Sequence, residues 1–208
     1  MLKSIPVEVY QLINLKTLIA SKCSLQSTYD LSALTKLSYL KLDKNDLEHD
    51  KLGNLPISLT KINIEGNHLT HLPPTLLSAF KIITLELSGN RLISLDGIGE
   101  LVNLLDLYID DNLLEYLPEE VSLLSKLKKL SAKRNKLTIA PNKPQIIPTS
   151  FLVHSMVENI DLEGNQLTKA EVLSLEGMDQ FLERRKALKD KNMNGGALQD
   201  YSVFGLAN

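Results

Sequence analysis

Apolar residues recur along this chain at one fixed spacing. Residues 104–114, Leu-Leu-Asp-Leu-Tyr-Ile-Asp-Asp-Asn-Leu-Leu, put Leu104, Leu107, Ile109 and Leu114 at positions 1, 4, 6 and 11, with Asn112 at position 9. Positions 4 and 6 point to one side of an extended chain because side chains alternate along a strand. Asp106 and Tyr108, at positions 3 and 5, therefore point to the other side. A polar Asn held among apolar neighbours reads as a buried amide bonding to backbone where the chain turns off the strand. The same spacing starts again at Leu15, Leu37, Leu59, Ile82, Leu104, Leu127 and Val157. Position 9 is then Cys23, Asn45, Asn67, Asn90, Asn112, Asn135 and Asn165, with steps of 22, 22, 23, 22, 23 and 30 residues. Near-equal steps predict short parallel strands, each followed by an outer turn or short helix, with the apolar positions buried between stacked units.

This spacing resembles the leucine-rich repeat, in which position 9 is Asn or Cys. The likeness to intracellular proteins of that family covers residues 2–167. It implies an α/β fold, a right-handed solenoid or horseshoe with about seven parallel strands on its concave face and a C-terminal helical cap. The expected organisation is a solenoid over 1–167, capping helix or helices over 168–191 and a flexible tail over 192–208. Val157-Glu-Asn-Ile-Asp-Leu-Glu-Gly-Asn, followed by Leu175-Glu-Gly-Met-Asp-Gln-Phe-Leu-Glu-Arg184, is similar to the terminus of leucine-rich repeat-containing protein fifty-seven and its relatives. That resemblance implies a cytoplasmic interaction protein with no catalytic site and no cofactor.

The ends and the long step are particular to this chain. Leu2 to Leu15 aligns without gaps on Leu114 to Leu127, matching Ile5-Pro6 with Leu117-Pro118 and Val9 with Val121. The first residues thus read as the outer half of a repeat, with upstream sequence absent or another element covering that end. Strand 15–20 is expected to be an open edge, with Ile19 bare on the concave face and self-association through that edge as one consequence. Gly66, Gly89 and Gly164, each just before Asn, suit a tight turn with positive φ. Pro141-Asn-Lys-Pro-Gln-Ile-Ile-Pro148 cannot be regular helix and should bulge from the rim or outer face, read as a spacer in preference to a functional loop. Thr168-Lys-Ala-Glu171 is a capping box, so a helix should start there and break near Gly177. Val172, Leu175, Phe181 and Leu182 face the last repeat, while Glu183, Arg184, Arg185 and Lys186 read as its solvated side. Tyr201-Ser-Val-Phe-Gly-Leu206 either docks back or binds something else.

Composition narrows the function classes. Of 208 residues 43% are hydrophobic, enough for one domain with its own core, and a formal net charge of -2 argues for neither nucleic acid nor an anionic membrane. There is no apolar run long enough for a membrane span and no secretory leader at Met1. A single cysteine excludes an intrachain disulfide, which favours a cytoplasmic setting, and Cys23 reads as a buried packing residue of the ladder. His68-x-x-His71 lacks a third ligand, so no metal site is assigned.

The functional reading is a non-catalytic protein-protein interaction module or scaffold whose partner, another protein, sits on the concave face. The alternatives are a regulatory subunit of a protein phosphatase and a fragment of a larger repeat-bearing signalling protein. Candidate partner-binding residues are Tyr39, Lys41, Asn63, Glu65, Glu86, Asp106, Tyr108, Asp110, Asp111, Lys133 and Arg134. Acidic residues gather in repeats three to five and basic ones in repeat six, a pattern that would orient a partner of opposite order. Tyr39 and Tyr108 are the expected anchors, since aromatics on a rigid exposed face bury large area on contact.

Overall fold

The computed structural model describes residues 3–140, 144–192 and 204–206. Seven strands form one parallel sheet in sequence order: β1 (Thr17–Ile19), β2 (Tyr39–Lys41), β3 (Lys61–Asn63), β4 (Thr84–Glu86), β5 (Asp106–Tyr108), β6 (Lys129–Ser131) and β7 (Asn159–Asp161). Each strand covers positions 3–5 of its repeat, and equivalent positions are paired throughout, from Thr17↔Tyr39 to Lys129↔Asn159. The fold is a leucine-rich repeat solenoid.

One hydrogen-bond scheme repeats at every step. The N–H at position 6 donates to the position-5 carbonyl of the next repeat, as from Leu42 to Asn63 at 2.8 Å and from Leu87 to Tyr108 at 2.8 Å. The position-2 carbonyl accepts two N–H groups of the next repeat, as Thr60 does from Ile83 and Thr84. Behind the sheet lies a single apolar core running from Ile5 to Phe204, with the position-1, -4, -6 and -11 leucines at its centre.

The Asn column works as the pattern predicts. Each Oδ1 accepts an N–H from the preceding repeat, for example Leu47 to Asn67 at 3.0 Å and Leu92 to Asn112 at 2.9 Å. Each Nδ2 donates to the position-6 carbonyl of the preceding repeat, and all but that of Asn135 also to the position-6 carbonyl of their own, as Asn67 does to Leu42 and Ile64, both at 3.0 Å. Asn45, Asn67, Asn90, Asn112 and Asn135 are buried, while Asn165 at the far end is half-buried. Cys23 departs from the expectation: it too is half-buried, because the first rung has a repeat on one side only. Position 8 is left-handed in all seven repeats, at Lys22, Lys44, Gly66, Gly89, Asp111, Arg134 and Gly164.

The outer segments are short. Val7–Gln11 and Glu119–Leu123 are matching 3-10 helices, as the ungapped alignment of these stretches requires. Helix α1 (Pro74–Leu77) begins with the second proline of its repeat, at the first helical position, where a missing N–H costs nothing. The proline-rich insertion is less of a spacer than its composition suggests. Ile146 and Ile147 are buried, and Leu117 donates its N–H to the Ile146 carbonyl at 2.9 Å. Two apolar residues flanked by prolines gain more from the core than from solvent. The insertion leads into helix α2 (Thr149–His154), which buries Phe151 and Leu152.

The cap is helix α3 (Lys169–Leu173) followed by helix α4 (Met178–Asn192). Both halves of the Thr168–Glu171 capping box form, and Gly177 at φ 89° makes the break between the helices. Arg184 and Arg185 correct the reading of a merely solvated face. The Arg184 guanidinium donates to the Val153 and Leu152 carbonyls at 2.6 and 2.8 Å, capping the end of α2. Arg185 Nε donates at 2.9 Å to the Glu158 carbonyl, the position-2 acceptor of the last repeat. The expected 192–208 flexible tail also needs correction at its described residues. Phe204 is buried with its ring 5.9 Å from Phe181, and its carbonyl accepts the Leu162 N–H at 2.9 Å. Leu162 is position 6, so Phe204 supplies the carbonyl that an eighth strand would supply.

Candidate functional site

Strand alternation puts positions 3, 5 and 7 of every repeat on one surface, and this surface carries the candidate residues. Tyr39 and Tyr108 are both half-exposed there, and each has a lysine of the next repeat over its ring. Lys61 Nζ lies 5.3 Å from the Tyr39 centroid and Lys129 Nζ 4.9 Å from that of Tyr108. Such contacts hold a ring in one rotamer and are worth about 0.5–1 kcal/mol at exposed sites. These two lysines were not among the candidates, although both occupy position 3 one repeat on, so column arithmetic was enough to find them.

Most of the named charges are engaged with one another across neighbouring repeats. Lys61 Nζ meets Glu86 at 2.9 Å, and this hydrogen bond raises the lysine's pKa. Asn63 is 3% exposed, so it is a floor residue and not an open contact. Its Oδ1 accepts the Glu65 N–H at 3.0 Å and its Nδ2 donates to Glu86. Asp110 accepts from the Ser131 hydroxyl at 2.6 Å and the Lys133 N–H at 2.8 Å. Lys133 meets Asp161 at 2.8 Å and Glu163 at 3.0 Å, and both bonds raise its pKa. Asp111 and Arg134 form a two-pronged pair at 2.6 and 2.7 Å on the rim. The Arg134 guanidinium holds the Asp111 carboxyl below the usual carboxylate range. Lys41 faces Asp43 at 3.8 Å, and Asp106 accepts weakly from Thr84 at 3.5 Å. The acidic and basic blocks seen in sequence are therefore cross-braced, which lowers the field they project.

What stands clear is an aromatic pair on a braced sheet. Tyr39 in β2 and Tyr108 in β5 are three strands apart, roughly 14 Å at ~4.8 Å per strand. The chemistry this face offers is contact and hydrogen bonding. Among the described residues no group of three or more His, Cys, Asp or Glu side chains could hold a metal ion. His68 faces Asp46 at 3.6 Å, while His71 packs its ring 5.5 Å from that of His49, so the two histidines turn to different partners.

The chain is similar to proteins built from the same repeat. A family profile described as Leucine Rich Repeat matches residues 58–80. Leucine-rich repeat serine/threonine-protein kinase 1 of Mus musculus is 28% identical over 86% of this chain and 9% of its own length. Leucine-rich repeats and immunoglobulin-like domains protein 3 of Homo sapiens is 25% identical over 71% of this chain and 13% of its own length. The chain thus spans about a tenth of the length of these relatives. Among solved structures, a leucine-rich repeat protein of Leptospira interrogans superposes with a TM-score of 0.56 at 26% identity, over 88% of this chain and 56% of that one. A chain of the octameric complex of Latrophilin 3, Unc5D and FLRT2 superposes with a TM-score of 0.64 at 24% identity, over 81% and 60%, and shows the shared fold. No described helix is long and apolar enough to cross a membrane.

Proposed function

We propose that this solenoid is a non-catalytic protein-binding module that receives its partner on the concave face, with Tyr39 and Tyr108 as anchors. The observation that carries this reading is the pair of preset aromatic–lysine contacts, Lys61 on Tyr39 and Lys129 on Tyr108, standing on a sheet where most of the other named charges are paired. A side chain already held in place loses little entropy when covered, so more of its buried area becomes affinity. Seven strands give a face roughly 30 Å along the stack, which suits a standard-size interface. We place the protein in the cytoplasm because its single cysteine leaves no intrachain disulfide to brace the ends. A second reading, one module of a longer signalling protein, is favoured by the small share of the repeat-bearing kinase that this chain spans.

The test is affinity capture from extract with the full chain as bait, comparing wild type with Tyr108→Ala. The expected result is loss of about 2 kcal/mol of partner affinity with an unchanged unfolding midpoint. An outer-face control, Glu119→Lys, should leave capture intact. Capture unaffected by Tyr108→Ala would remove the anchor, and with it this face.

A further inference from the structure

A second surface lies along one rim of the sheet, outside the concave face. Just before each of the first six strands the chain makes a two-residue turn, at 13–14, 35–36, 57–58, 80–81, 102–103 and 125–126. The first residues of these turns form a column whose third to fifth members are Ile57, Phe80 and Val102, exposed to 63%, 47% and 46%. They belong to consecutive repeats, and the Asn103 side chain donates to the Phe80 carbonyl at 2.9 Å, which fixes the turns side by side. Ile83, two residues past the second of these turns, is exposed as well. Core packing explains none of these side chains.

The second turn position holds Lys36, Lys81 and Lys126, and Lys128 follows at the entry to β6. Lys36 and Lys126 donate only to neutral side-chain amides, those of Asn14 and Asn103, at 2.7 and 2.6 Å. No carboxylate pairs with any of these four lysines among the described residues. The contrast with the concave side is sharp, since there Lys41, Lys61, Lys133 and Arg134 each have an acidic partner. One rim therefore carries an apolar stripe bordered by unneutralised positive charge.

We propose that this rim docks an acidic amphipathic helix of a partner protein. Lys36 to Lys126 is four repeat steps, roughly 19 Å at ~4.8 Å per step, which about 13 residues of α-helix span at 1.5 Å each. Apolar residues at i, i+3, i+4 and i+7 of such a helix would cover Ile57, Phe80 and Val102, and flanking Asp and Glu would meet the lysines. A bilayer suits the rim less well, because the stripe is one side chain wide and a membrane needs a broad area to bury.

The test is selection of 16-residue peptides from a random display library on the immobilised full chain, with Phe80→Asp, Lys81→Glu and Tyr108→Ala as comparisons. Enriched peptides should show helical apolar spacing with Asp or Glu flanks, and their binding should weaken as salt rises. Phe80→Asp should reduce their binding roughly 30-fold and Lys81→Glu less, with no change for Tyr108→Ala. Phe80 is half-exposed, so the unfolding midpoint of Phe80→Asp should match wild type and exclude misfolding. The proposal is overturned if no acidic helical sequence is enriched, or if selected peptides respond to Tyr108→Ala and not to Phe80→Asp. It is equally overturned if phosphatidylserine vesicles, and no peptide, bind in a Phe80-dependent way. Because the two variants lie on different surfaces, failure at Phe80 leaves the concave reading untouched.

Discussion

Replacing Asn90 with Ala isolates what one rung of the ladder contributes. Asn90 is 7% exposed; its Oδ1 accepts the Leu69 N–H at 3.0 Å and its Nδ2 donates to the Ile64 and Leu87 carbonyls at 3.0 and 2.9 Å. The two carbonyls are not stranded by the change. Ile64 also accepts from Asn67 at 3.0 Å, and Leu87 also accepts from Asn112 at 3.2 Å. The Leu69 N–H has no other acceptor among the described residues, so it alone becomes a buried unmet donor. That penalty is about 1–3 kcal/mol, and ~2 kcal/mol would lower the thermal midpoint of a chain this size by roughly 4–8 °C. Cys23→Ala is the matched control in the same column. Its Sγ makes one hydrogen bond, to the Ser21 carbonyl at 3.2 Å, and the residue is half-buried, so the expected loss is under about 1 kcal/mol. Urea unfolding followed by circular dichroism gives both values, and hydrogen exchange at the Leu69 amide reports the orphaned group directly. Equal losses for the two variants would refute the ladder argument. A loss above about 4 kcal/mol would refute the carbonyl sharing, since more than one group would then be unmet.

Two further outcomes are expected. Phe204→Ala should release the pseudo-strand, so exchange at the Leu162 amide should quicken while that at Ile109, deep in the sheet, stays slow; equal change at both would mean global loosening instead. Asp111→Asn should cost under about 1 kcal/mol, because the Asp111–Arg134 pair is exposed and screened. Its pH dependence has a definite sign. The folded Asp111 carboxyl titrates below its unfolded value, so its contribution is present above the unfolded carboxylate range and lost as pH falls through the folded one. The gap between wild type and Asp111→Asn, followed by thermal midpoint, should therefore close in acid and also in high salt; a gap that widens in acid would contradict the assigned pair.

The sheet and its register were legible because the repeat states each strand seven times, and alternation alone separates Leu107 from Tyr108. Position 8 was legible only in part. Gly66, Gly89 and Gly164 signal its left-handed backbone and Asp111 tolerates it, but Lys22, Lys44 and Arg134 adopt it without any residue signal, forced by their place in the turn. The site was read less completely than the fold. Which side chains share the concave face follows from position, yet whether Asn63 is open or Asp110 is spent depends on cross-repeat partners that one repeat does not show. Arg184 and Arg185 misled for a related reason. A run of charges on a helix is usually solvated, but these two end where the backbone carbonyls of Leu152, Val153 and Glu158 need donors. Phe204 could not be placed from local pattern, since its partners Phe181 and Leu162 lie far back along the chain.

The two ends of the sheet differ in kind, because a parallel ladder has a direction. Around the strand cores, each repeat offers the next one its N–H groups of positions 6 and 8 and its position-2 carbonyl; it offers the previous one its carbonyls of positions 5 and 7 and the N–H groups of positions 2 and 3. At β7 the outward groups include the Leu162 N–H and the Glu158 carbonyl, and the cap answers these two, with the Phe204 carbonyl and Arg185 Nε. At β1 the outward groups include the Ile19 carbonyl and the N–H groups of Lys16 and Thr17, which have no partner among the described residues, and Ile19 itself is 59% exposed. A copy of this chain could continue the ladder on β1 only by presenting its own β7 groups, and two of those are already engaged by its cap. Pairing of two β1 edges would have to be antiparallel and only three residues long, too little surface to hold two copies together unaided. Arg185 and Phe204 thus stand in the way of a head-to-tail ladder of copies, since they occupy two of the described groups that are complementary to the open edge.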